Sequence, residues 1–106
     1  MNFFTRRRGP DLDQGLQQFR QTPGGVLLDV RTRQEYSQGH LPQSRNLPLD
    51  QILQVPVLFP DQDTPLFVYC LSGARSARAT AVLQRMGYQN VTDLGGIHGY
   101  RGEVAH

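Results

Sequence analysis

The sequence predicts an α/β fold: a mainly parallel sheet of four or five strands with helices on both faces. Three observations carry that expectation. Val26-Leu27-Leu28-Asp29-Val30 and Leu66-Phe67-Val68-Tyr69 are short runs with little polar alternation, as strands buried on both faces require. Segments of helical spacing separate them, and parallel strands need such crossovers. Gly and Pro mark each change of period.

Phe3-Phe4-Thr5 is the candidate for a fifth strand. Pro10, with Asp11 and Asp13 behind it, suits the first turn of a helix whose Leu12, Leu16 and Phe19 share one face. That helix stops before Pro23, and Gly24-Gly25 turns the chain into the first apolar strand. Thr32 and Glu35 form a capping box opening a short helix from Arg33 to Gln38, with Gly39 as its left-handed cap. Arg45-Asn46-Leu47 reads as a brief strand. Leu49, Ile52 and Leu53 have helical spacing, which Pro56 and Pro60 are expected to cut short. Asp61 to Pro65 is turn chemistry before the second apolar strand, which ends at Cys70. Ala79, Val82, Leu83 and Met86 form the apolar face of a helix starting near Ser76, with Gly87 as its C-terminal cap. Val91 to Leu94 is the last strand, Gly95-Gly96 a tight turn, and Ile97 to Arg101 a final helical turn before a frayed end.

Length and composition narrow the function. The 106 residues suit one domain, residues 1–106, able to bury roughly two-thirds of its unfolded surface. A mean hydropathy of −0.47 and a net charge of +2 describe a water-soluble globular chain. All 11 basic residues are Arg, so Schiff-base and phosphate-loop lysine chemistry is excluded. The single cysteine forms no internal disulfide, which suits a reducing, cytoplasmic setting. No apolar run reaches the length of a signal peptide or a membrane span, and Arg6-Arg7-Arg8 reads as a solvated tail. Neither a nucleic acid nor a membrane is expected as a partner.

In an open parallel sheet, ligands bind beyond the carboxyl ends of the strands. Cys70 stands there. Leu71, Ser72, Gly73, Ala74, Arg75 and Ser76 follow it, a short loop whose backbone N–H groups can converge on an anion, backed by a helix N-terminus. Those dipoles and the Arg75 cation favour a thiolate, so the order of residues points to an exposed sulfur nucleophile with an anion cradle. Ser72 and Ser76 are candidate donors to the bound anion. Asp29 and Arg31, at a strand end, are expected to form an ion pair supporting the loop. His40 reads as a hydrogen-bonded structural residue. His98 and His106 lack ligand spacing with Cys70, so no metal is expected.

Cys70-Leu71-Ser72-Gly73-Ala74-Arg75-Ser76 resembles the active-site loop of single-domain rhodanese-like sulfurtransferases, where Arg follows Cys by five positions. Leu28-Asp29-Val30-Arg31 with Glu35-Tyr36, Gly39-His40-Leu41 and Asn46-Leu47-Pro48 resemble that family's N-terminal signature. Gly87-Tyr88, Val91 and Leu94-Gly95-Gly96 resemble its closing segment. The motifs span residues 26–101. Three positions depart from the pattern: Gln43-Ser44 stand where the family usually has Gly-Ala, and Tyr100 where it often has Trp.

The resemblance implies a rhodanese-like fold and a two-step sulfur transfer through a Cys70 persulfide, with no cofactor. It implies a small anionic sulfur donor such as thiosulfate, and as acceptor cyanide or a thiol, either small or on a protein such as a thioredoxin-like reductant. The alternative is a persulfide carrier or interaction module of the same fold without strong turnover. The related cysteine-dependent phosphatases separate Cys and Arg by six positions, a wider cradle suited to phosphate. The loop here is one residue shorter.

Overall fold

The computed structural model describes residues 11–106. Phe3 to Thr5, the Arg6-Arg8 run and Pro10 lie outside the described residues. The elements in order are α1 (Leu12–Arg20), β1 (Val26–Asp29), α2 (Arg33–Ser37), β2 (Ser44–Asn46), a 3-10 helix (Leu49–Gln54) running into α3 (Val55–Leu58), β3 (Leu66–Cys70), α4 (Ala74–Arg85) and β4 (Val91–Gly96).

The four described strands form one parallel sheet in the order β2-β1-β3-β4. Between β1 and β3 the strand order reverses, which opens a crevice at their carboxyl ends where ligands enter such sheets. Side-chain parity divides the core in two. Leu27, Phe67, Tyr69 and Leu94 face one side, under α1 with its Leu16, Leu12 and Phe19. Leu28, Val30, Leu66, Val68 and Cys70 face the other, under Ala79 and Leu83 of α4 and Ile52 and Val55. Parity therefore aims the Cys70 side chain at α4. Gly15 lets α1 approach closely, since a Cβ there would collide with the Leu94 side chain.

Several boundaries differ from the sequence expectation. α1 opens at Leu12 instead of Pro10, because the Asp11 carboxylate accepts the Gln14 N–H at 3.2 Å and so caps the helix. After Pro48 the chain winds with three residues per turn, so Leu49, Ile52 and Val55 share a face, while Leu53 is 72% exposed. Pro56 does not stop the helix; it sits in the first turn of α3, where its missing N–H costs nothing. Gly95 and Gly96 belong to β4, beyond an irregularity that shifts the register from Val68↔Asp93 to Tyr69↔Gly95. Ile97 to Tyr100 is a β-turn, closed by the Tyr100 N–H on the Ile97 carbonyl at 2.8 Å, with Gly99 at φ +80°. The end is not frayed: Ala105 pairs with His40 through two backbone hydrogen bonds of 2.9 and 2.7 Å. No helix among the described residues is long and apolar enough to cross a membrane.

Candidate active site

Cys70 closes β3, and Gly73, at φ +103°, turns the chain directly into α4. The left-handed backbone there suits glycine and swings successive N–H groups inward. The Gly73 N–H donates to Cys70 Sγ at 3.0 Å and the Ser76 N–H at 3.3 Å. α4 begins at Ala74, two residues before the expected start, so its first turn lies over the sulfur. Cys70 consequently has no exposed surface, where the sequence pointed to an exposed nucleophile. Its sulfur is the focus of a two-donor nest at a helix N-terminus, an arrangement that stabilises negative charge on it.

The opposite wall is β4. The Ile97 N–H donates to the Cys70 carbonyl at 3.0 Å and the His98 N–H to the Leu71 carbonyl at 2.9 Å. A Cβ on Gly96 would stand 2.7 Å from Ser72 Cα and collide with the Leu71 carbonyl oxygen. The glycine is what admits the loop.

Leu71, Ser72 and Ala74 are exposed at the rim. Ser76 is buried, and its hydroxyl donates to the Gly73 carbonyl at 3.1 Å. It braces the loop, leaving its backbone N–H to face the sulfur. Arg75 reaches sideways instead of inward: Nη1 and Nη2 donate to Glu35 Oε1 and Oε2 at 2.7 and 2.9 Å. This bond holds the Glu35 carboxyl at about 2, well below its ordinary 4.5, with partial burial opposing and the Thr32 N–H and hydroxyl assisting. Arg75 is raised in turn, chiefly by its hydrogen bonds to Glu35, with Cys70 and Asp29 adding to the electrostatic pull.

Asp29 and Arg31 are both buried and form a two-point ion pair, with Nε 3.0 Å from each carboxylate oxygen and Nη2 2.7 Å from Oδ2. The pair makes no hydrogen bond to the cysteine loop. Arg31 Nη2 donates to the Gly39 carbonyl at 2.8 Å, and its guanidinium lies 5.8 Å from the Tyr69 ring centroid. It anchors the end of the α2 segment, and α2 carries Glu35. Burial pulls Arg31 down, but Asp29 more than restores it. The Asn46 amide donates to the carbonyls of Asp29 and Arg31 at 3.0 and 2.9 Å, fixing the same strand end. His40 Nδ1 lies 2.8 Å from the Tyr36 carbonyl, and its ring stacks on Tyr36 with centroids 3.6 Å apart. Among the described residues, no three His, Cys, Asp or Glu side chains are grouped to hold a metal ion.

The sequence singled out Cys70 and its loop but not Glu35 as the partner of Arg75, nor Gly96 as the wall of the loop. Glu35 was visible as part of the N-terminal signature and as half of a capping box, which it does form, its Oε1 accepting the Thr32 N–H at 3.0 Å. Nothing local marks its second bond, to a residue 40 positions away.

A family model described as "Rhodanese-like domain" matches residues 11–103. "Thiosulfate sulfurtransferase PspE" of Escherichia coli is 34% identical over 71 residues, covering 66% of this chain and 68% of that protein. "Adenylyltransferase and sulfurtransferase uba4" of Ogataea parapolymorpha is 38% identical over 72 residues, 67% of this chain but only 18% of that much longer protein. Among solved structures, "rhodanese with anions from E. coli" superposes with a TM-score of 0.70 at 29% identity, over 76% of this chain and 96% of that one.

Proposed function

The chain belongs to the rhodanese-like domain family, and from that premise we propose that it moves a sulfane sulfur from thiosulfate or a similar anion to a thiol or cyanide through a persulfide on Cys70. The observation that carries this reading is the pair of N–H groups, from Gly73 and Ser76, aimed at Cys70 Sγ. The Cys70 thiolate attacks the outer sulfur of thiosulfate, the sulfur–sulfur bond breaks, and its electron pair leaves with sulfite. A persulfide remains. An acceptor thiolate or cyanide then attacks the terminal sulfur, and the electron pair of the second bond returns to Cys70. Sγ is negative at the start and end of this cycle, so fixed N–H dipoles serve both half-reactions. Arg75, at the end of the loop and paired with Glu35, supplies the cation toward which the donor anion is drawn.

Leu71 to Ser76 form the donor subsite, with Asp29, Arg31 and His40 supporting the strand end and α2. A reducing, cytoplasmic setting suits a lone thiol that must be free between turnovers.

The test is the intact mass after incubation with thiosulfate. One sulfur should be gained, removed again by cyanide or thiol, and not gained by Cys70→Ser. Sulfur loading that survives in Cys70→Ser removes Cys70 from the reaction.

A further inference from the structure

A cleft of about 640 Å³ opens beside the cysteine loop, between the start of α2, the 3-10 helix and α4. Val30, Pro48, Leu49, Ile52 and Val82 give it apolar walls, and Arg33, Arg75 and Arg78 also line it. Arg75 is engaged by Glu35. Arg33 and Arg78 are exposed and form no ion pair among the described residues, and residues 1–10 contain no acid that could pair with them. Asp50 is the sole acidic residue of the lining.

Thiosulfate has no apolar surface and is far smaller than this space, whose volume is that of a site for a small organic molecule. Arg75, Arg78 and Val82 fall at i, i+3 and i+7 of α4, so the cleft follows one face of that helix away from the cysteine loop. A molecule lying in it has one end beside the loop and its body against apolar walls, within reach of two unpaired cations.

We propose that this cleft is the acceptor subsite, and that it takes a small thiol with an apolar body and a terminal carboxylate, which Arg33 and Arg78 bind. The inference rests on the sulfur-transfer reading above and names the class of its second substrate. The acceptor thiolate attacks the terminal sulfur of the Cys70 persulfide, the sulfur–sulfur bond breaks, and its electron pair returns to Cys70 Sγ. The acceptor leaves as its own persulfide, and no oxidant or reductant enters.

Two measurements test it. In turnover with saturating thiosulfate, 8-mercaptooctanoate should have a KM about tenfold below that of 8-mercapto-1-octanol, as expected for charge-assisted contacts discounted for exposure. 3-Mercaptopropionate, with the charge but little apolar body, should bind more weakly than 8-mercaptooctanoate. The double variant Arg33→Gln/Arg78→Gln should erase the preference for acid over alcohol. Equal KM values for acid and alcohol in the wild type, or a preference that persists in the double variant, overturn the assignment. The second measurement needs no turnover: octanoate binding to Cys70→Ser, followed by calorimetry, should exceed octanamide binding and should fall when Arg33→Gln and Arg78→Gln are added. If Cys70 fails to load sulfur while octanoate shows this pattern, the transfer reading fails and the cleft stands as an anion site. If loading succeeds and octanoate binds no better than octanamide, the acceptor proposal alone falls.

Discussion

Glu35 and Arg75 lie 40 positions apart in the chain and meet through two parallel hydrogen bonds of 2.7 and 2.9 Å, joining α2 to the first turn of α4. The cation of the cysteine loop is thus held by a carboxylate outside it.

Arg75→Ala should raise the KM for thiosulfate by about tenfold, the scale of one charge-assisted hydrogen bond. Part of that loss is the unpaired Glu35 carboxylate repelling the donor. Arg75→Ala/Glu35→Gln should therefore perform better than Arg75→Ala alone. Steady-state kinetics on the four proteins of this cycle decide the point, and strictly additive losses show that the two side chains are not coupled.

The same pair has a pH signature. Glu35 is depressed in the folded protein, so its contribution to stability is complete above its ordinary value of 4.5 and is lost as pH falls toward about 2. Urea denaturation of wild type and Glu35→Gln should show a stability difference that is constant from neutral pH to about 5 and closes in that acid window. A difference that instead closes above pH 6 belongs to another group.

Gly96→Ala should push the loop outward, because its Cβ meets Leu71 and Ser72 backbone. Displacing the N–H groups from Sγ by even a fraction of an ångström should slow sulfur loading by about tenfold to a hundredfold. Gly24→Ala, at φ +75° but with open space around it and far along the chain from the loop, should cost about 1–2 kcal/mol of stability and leave loading intact. Rapid-mixing measurement of sulfite release separates the two, and similar rates in both variants remove Gly96 as the wall of the site.

Gln43 has φ +72°, a left-handed backbone carried by a residue with a Cβ. Gln43→Gly should raise stability by about 1 kcal/mol, the penalty of that conformation less the entropy glycine adds to the unfolded chain. Thermal and urea unfolding should agree on the gain; a loss means that the glutamine side chain contributes more than its backbone costs.

The sequence disclosed what is local. Apolar runs without alternation located β1 and β3, Thr32 and Glu35 announced α2, and the cysteine at a strand end marked the candidate site, because each signal lies within a few residues of what it specifies. What stayed hidden depends on partners distant in the chain. The Arg75–Glu35 bond, the close approach of Gly96 to the loop and the pairing of Ala105 with His40 are set by how the sheet brings segments together. Gln43 shows both sides: its departure from glycine was visible as a letter, while the positive φ that makes it costly appears only in the fold. Tyr100, the other departure, packs partly buried against the α1 side of the core.

Cys70 has no surface open to solvent. That makes the protein a sieve. Any reagent must pass or displace the loop and the first turn of α4 to reach Sγ, and a narrow head, such as the end of thiosulfate or a primary thiol, displaces less of them than a branched thiol or a bulky alkylating reagent. Small electrophiles should therefore modify the cysteine far faster than large ones of equal intrinsic reactivity, and a sulfur parked there is shielded from most of the thiols and disulfides that would otherwise carry it off.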